Sequence, residues 1–137
     1  EALASALPLV AGRMSACMEV RGVWSEPNFR RMVLMALWGN QGDSSLFTVA
    51  DLQGKGKGEA KAEGMLVDEA QDVYNWLDAR LESSGGEVHF LNDNSGMELV
   101  SDLALAHYLL SCPKTKKVVF HLKPYPFFVS DALPSDV

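Results

Sequence analysis

Residues 91–98, Leu91-Asn92-Asp93-Asn94-Ser95-Gly96-Met97-Glu98, set a carboxylate beside a carboxamide just ahead of a serine-glycine step. The side-chain oxygens of Asp93 and Asn94 are hard donors of the kind that hold Mg²⁺ or Mn²⁺. A junction between a strand and a helix is where open α/β sheets collect ligands. The start of the following helix adds unpaired backbone N–H groups and a positive dipole end, so Ser95 and Gly96 are candidates for receiving a phosphate. One short turn therefore offers a metal site and an anion site. A second carboxylate, Asp131, stands beyond the next strand at the end of Lys123-Pro124-Tyr125-Pro126-Phe127-Phe128-Val129-Ser130, where it could meet the first. Turn and cap chemistry accounts for the same residues: Ser95-Gly96-Met97-Glu98 fits the S-x-x-E capping box, in which Ser95 and Glu98 bond each other's backbone N–H. Asp and Asn before a helix are also common for turn formation alone.

Apolar spacing defines the elements that would position these groups. Leu3, Leu7, Val10, Met14, Cys17 and Met18 lie on one face of a helix from Ala2 to about Arg21, with Pro8 as an irregularity and Gly22 as its stop. Ser25 or Glu26 before Pro27 starts a second helix, continued by Phe29, Met32, Val33, Met35, Ala36 and Leu37 and ending at Trp38-Gly39-Asn40. Ala70, Val73, Leu77 and Leu81 mark a third, with Tyr74 and Trp76 alongside, closed by Ser83-Ser84-Gly85-Gly86. Residues 87–91 read as a strand, 95–111 as a helix with Leu99, Leu103, Ala106 and Leu110 on one face, and 117–122 as a strand. Strand, helix and strand with short links form a βαβ unit with parallel strands. The expected fold is α/β, a Rossmann-like α/β/α sandwich core preceded by a helical part. The division is a helical part over 1–53, a mobile Gly/Lys loop over 54–64, and an incomplete metal-binding core over 65–137. Residues 54–64, GKGKGEAKAEG, have too little apolar surface to hold one conformation and lack the G-K-[ST] ending of a phosphate loop.

Composition narrows the function. The 137 residues are 47% hydrophobic and 22% charged, as in a packed domain, and 12 basic against 18 acidic residues give a net charge of -6. The chain lacks the basic footprint of a nucleic-acid binder. Cys17 and Cys112 stand apart in apolar surroundings and read as buried free thiols, and no clustered Cys or His suggests zinc. No apolar run is long enough for a membrane span, so the expectation is a cytoplasmic protein without a membrane partner, with the oligomeric state open. Trp24, Trp38 and Trp76 read as core or boundary anchors, and Lys114, Lys116 and Lys117 as a solvated run.

HFLNDNSGMELVSDLALAHYLL, from His89 to Leu110, and VVFHLKPYPFFVSD, from Val118 to Asp131, resemble the metal-dependent damage-control phosphatases. The most similar branch includes the protein named acidic residue methyltransferase and fungal sugar-phosphate phosphatases. LWGNQGDSSL, from Leu37 to Leu46, resembles that branch's L-W-G-N-x-x-D-x-S motif, and MLVDEAQDVYNWL resembles the segment ahead of its metal-binding strand. The resemblance implies that Asp93, Asn94 and Asp131 are the catalytic metal ligands, for Mn²⁺ or Mg²⁺, with Ni²⁺ or Co²⁺ as further divalent candidates. It implies that Glu98 lies in the substrate pocket, that Asn40 and Asp43 stand beside the active site, and that Lys123 places a positive charge near a phosphoryl group. Each has a plainer role as well: Lys123 as a solvated strand-end lysine, Asn40 and Asp43 as helix-end caps. Asp102, one turn after Glu98, is expected behind the site or facing solvent.

Two departures stand out. Gly42-Asp43-Ser44 has a polar residue where the family has an apolar one, and family members are several times longer, so the sequence reads as a piece of a longer chain. The implied activity is metal-dependent hydrolysis of sugar phosphates or related damaged phosphometabolites, of the fructose 1-phosphate kind. The alternatives are an S-adenosylmethionine-dependent protein carboxyl methyltransferase and a non-catalytic remnant of the phosphatase fold. The methyltransferase would want a glycine-rich turn after a first strand, which is absent here; the short extent and the Gly/Lys loop favour the remnant.

Overall fold

The computed structural model describes residues 2–39, 65–84, 86–112 and 115–137. Asn40, Asp43 and the Gly/Lys loop fall outside the described residues. The order among the described residues is α1 (Ala2–Glu19), α2 (Glu26–Leu37), α3 (Ala70–Ser84), β1 (Glu87–Leu91), α4 (Met97–Ser111) and β2 (Lys117–His121), then a 3₁₀ turn, Pro134–Asp136. The protein is mixed α/β, with β1 and β2 paired in parallel from Glu87 opposite Lys117 to Leu91 opposite His121. The expected βαβ unit is present, its connecting helix being α4.

Apolar burial organises these elements around α4. One cluster joins Ala16, Cys17 and Val20 of the first helix and its turn, Phe29, Met32 and Met35 of α2, and Ala104, Leu105, Tyr108, Leu109 and Cys112 of α4 and its C-cap. Val88 and Phe90 pack against it from the sheet, and Phe90 stacks on Phe120 with ring centroids 5.1 Å apart. Strand residues alternate between faces, so Glu87, His89 and Leu91 of β1 point away from this core and are exposed. Trp24 stacks on Tyr74 at 5.0 Å and donates its indole N–H to Asp78 Oδ1 at 2.7 Å, which ties α3 to the start of α2. Both cysteines are buried free thiols, as expected. Burial pushes both thiols up from their ordinary pKa. No helix among the described residues is long and apolar enough to cross a membrane.

Three expected faces differ. Along α1 and the turn after it, Leu7, Met14 and Met18 are exposed while Cys17, as expected, is buried together with Ala16 and Val20, because the face that meets the buried cluster runs through Ala16, Cys17 and Val20 and is rotated from the expected one. In α4, Leu110 is exposed while Ser101, Leu105 and Tyr108 are buried. A helix covered on more than one side has no single apolar stripe to read. Trp76 is exposed, with the Arg80 guanidinium over its ring, 5.3 Å from the centroid.

Met32 is fully buried and Met18 is half exposed, so truncation separates the two. Met32→Ala is expected to cost about 2–5 kcal/mol of unfolding free energy and Met18→Ala less than about 0.5 kcal/mol, as read by urea denaturation.

Candidate metal centre

The strands end where the candidate residues begin, and backbone pairing continues past them. Asn92 N donates to His121 O at 3.1 Å, Ala132 N to Asp93 O at 3.0 Å, and Lys123 N to Ala132 O at 3.1 Å. Asn94 and Asp131 form an antiparallel bridge. The segment after Lys123 therefore loops out and returns, delivering Asp131 to the turn that carries Asp93 and Asn94.

The Asp131 side chain is 1% exposed and those of Asp93 and Lys123 are 70% and 25% exposed. Burying a carboxylate requires compensating charge and donors, and Asp131 has both. Its Oδ1 accepts from Lys123 Nζ at 2.7 Å, and its Oδ2 accepts from the backbone N–H of Phe127 at 2.8 Å and of Phe128 at 2.9 Å. Lys123 also donates to the Asp93 carboxylate and to Asp93 O at 3.1 Å. Lys123 and the two N–H groups hold the Asp131 carboxyl below the usual carboxylate range, while Asp131 and Asp93 raise the Lys123 ammonium above its ordinary value. Lys123 is thus tied between two carboxylates and is no solvated strand-end lysine.

Asn94 is held on both sides. Its Oδ1 accepts from Ser130 Oγ at 3.0 Å, and its N and Nδ2 donate to Glu98 at 3.2 and 3.0 Å. Glu98 does not close a capping box with Ser95. Helix α4 begins two residues later than expected, at Met97, with Gly96 as its N-cap at φ 70° and ψ −136° and no side-chain cap bond. Only a residue without a Cβ adopts that φ readily, and it turns Ser95 away from the helix. Ser95 instead gives its N–H at 2.7 Å and its hydroxyl at 3.2 Å to Ser130 O. Next to Gly96, the position a Cβ would occupy has no atom within 4 Å.

Two carboxylates and a carboxamide, all oxygen donors, thus stand within one turn and its returning partner. That chemistry fits a hard divalent cation, whose remaining positions are commonly filled by water or phosphate. Gly39 lies against the first turn of α4: a Cβ there would lie 2.8 Å from Glu98 Cα and 3.1 Å from Ser101 Oγ. Sequence reasoning missed Ser130 and Asn92. Each immediately precedes a candidate ligand, which was the available signal. Asp102 is half-buried behind the turn. It accepts from Asn92 Nδ2 at 2.7 Å, and burial, with Glu98 nearby, pushes its pKa up to about 6.

The whole of residues 1–137 matches the family model for the damage-control phosphatase ARMT1-like domain. The chain is 36% identical over 118 residues to damage-control phosphatase ARMT1 of Danio rerio, covering 80% of this chain and 26% of the relative. It is 33% identical over 116 residues to that of Bos taurus, at 79% and 26% coverage. Against that of Homo sapiens it is 30% identical over 125 residues, again at 79% and 26%. The chain thus spans about a quarter of the length of these relatives.

Gly39→Ala is expected to cost roughly 1–3 kcal/mol by forcing the turn off α4, as read by urea denaturation. The Asp131 carboxyl, held low, contributes stability that is present above its ordinary value of 3.8 and is lost as pH falls through its folded value. Asp131→Asn is therefore expected to be less stable than the unaltered chain at pH 7, the difference closing below that value. Asp102 acts with the opposite sign: held high, it weakens the fold as pH rises from 3.8 through about 6. Denaturant midpoints measured from pH 3 to 8 for the unaltered chain, Asp131→Asn and Asp102→Asn check both.

Proposed function

We propose that this chain, which belongs to the damage-control phosphatase ARMT1-like domain family, supplies the metal-binding part of a phosphomonoester hydrolase. The reading extends to sugar phosphates or related damaged phosphometabolites of the fructose 1-phosphate kind as substrates. The observation that carries it is the convergence of Asp93, Asn94 and Asp131, residues up to 38 positions apart in the sequence, through one backbone bridge and one shared lysine.

Asp93, Asn94 and Asp131 would hold the divalent ion, Mn²⁺ or Mg²⁺. When bound, it supplies Lewis acidity toward a phosphoryl oxygen and a more acidic water. Lys123 brings a fixed positive charge to the same place, where a phosphoryl group gathers negative charge during hydrolysis. The start of α4 at Gly96 offers the phosphate a positive dipole end and room beside it. Ser130 orients Asn94 by donating to its amide oxygen, and Glu98 accepts from its N–H groups. Asn40 and Asp43, outside the described residues, are proposed to contact the substrate.

Phosphate release from a panel of sugar phosphates, fructose 1-phosphate among them, with and without Mn²⁺, tests the reading. Turnover that requires the ion and falls at least about 100-fold in Asp93→Ala is the expected result. Turnover indifferent to both the ion and the substitution would overturn the reading. Mn²⁺ binding with no turnover would favour a non-catalytic role for this chain.

A further inference from the structure

Asn92 is a buried amide, 7% exposed, immediately before Asp93. Its backbone N–H is bonded to the end of β2, and its Nδ2 donates to Asp102 Oδ2 at 2.7 Å. Its Oδ1 is buried with no hydrogen-bond partner among the described residues. An unpaired buried carbonyl oxygen and a partly buried carboxylate both oppose folding, and an apolar pair of similar shape at these positions would be neutral or favourable. Stability alone does not account for the pair. What the pair does is geometric. Asp102 and Glu98 lie one helical turn apart on α4, on the same face. Glu98 accepts from Asn94 and Asp102 from Asn92, so the helix grips the turn on both sides of Asp93.

We propose that Asp102 is a positioning residue that fixes the metal-binding turn through Asn92, so that Asp93 and Asn94 present their oxygens together. This rests on the reading of Asp93, Asn94 and Asp131 as ligands of a divalent ion. Partners behind a metal ligand set its orientation, and losing one typically costs 10–100-fold in metal affinity.

The test is a Mn²⁺ titration of the 137-residue chain followed by electron paramagnetic resonance, with thermal unfolding recorded for every variant. Asp102→Leu is expected to remain folded, with a lowered unfolding midpoint because the Asn92 amide loses its partner, while weakening Mn²⁺ binding by about 10–100-fold. The swapped pair, Asn92→Asp with Asp102→Asn, restores the bond with donor and acceptor exchanged, and is expected to bind within about threefold of the unaltered chain. A folded Asp102→Leu that binds Mn²⁺ normally, or a folded swap that stays weak, overturns the positioning role. Failure of the unaltered chain to bind Mn²⁺, or normal binding by Asp93→Ala, overturns the ligand reading itself and the proposal with it.

Discussion

A lysine held between two carboxylates is the interaction on which the candidate site depends. Lys123 donates to Asp93 and Asp131 together, and Asp131 is almost wholly removed from solvent. A carboxylate that deep is tolerated only with an opposite charge and further donors around it, which here are Lys123 and the N–H groups of Phe127 and Phe128. Asp93 is largely exposed. The arrangement is therefore asymmetric: one carboxylate is anchored in the fold and the other faces outward, where a ligand would approach.

Everything around that knot keeps the same few backbone atoms in register. The parallel strands align Leu91 with His121. The pairing then passes beyond the strands, and the returning segment lies against the Asp93 turn through Ala132 and Asp131. Helix α4 closes the other side, its carboxylates Glu98 and Asp102 accepting from Asn94 and Asn92. The core fixes α4 in turn, since Tyr108 and Leu109 are buried among α1 and α2 side chains. Packing, pairing and charge thus act on one short turn from three directions.

Much of this was legible in the sequence, and the limits have identifiable causes. The strands at 87–91 and 117–121 and the helix between them follow from short β-rich runs and a long apolar one, signals that are local. Faces were less legible. The stripe expected on α1 set Met14 and Met18 beside Cys17, yet Cys17 is buried with Ala16 and Val20 while both methionines are exposed; apolar spacing suggests a face, and the neighbour packed against the helix settles how that face is rotated. The start of α4 was misjudged because S-x-x-E fits a capping box as well as it fits a turn. Ser95 is drawn to Ser130 O, 35 residues away, and no local pattern encodes that bond.

The residue types and order alone determined the α/β class, the hard-donor character of Asp93, Asn94 and Asp131, and a resemblance that the family match bears out. These depend on short-range periodicity and on side-chain chemistry, which travel with the sequence. Only the tertiary structure decided that Lys123 joins Asp93 to Asp131, that Glu98 and Asp102 hold the turn from behind, and that Gly39 is pressed against α4. Each of those facts relates atoms from separate elements. Their distance is set by how helices and strands pack around a shared core, where many weak contacts act at once and no single stretch of sequence specifies the result.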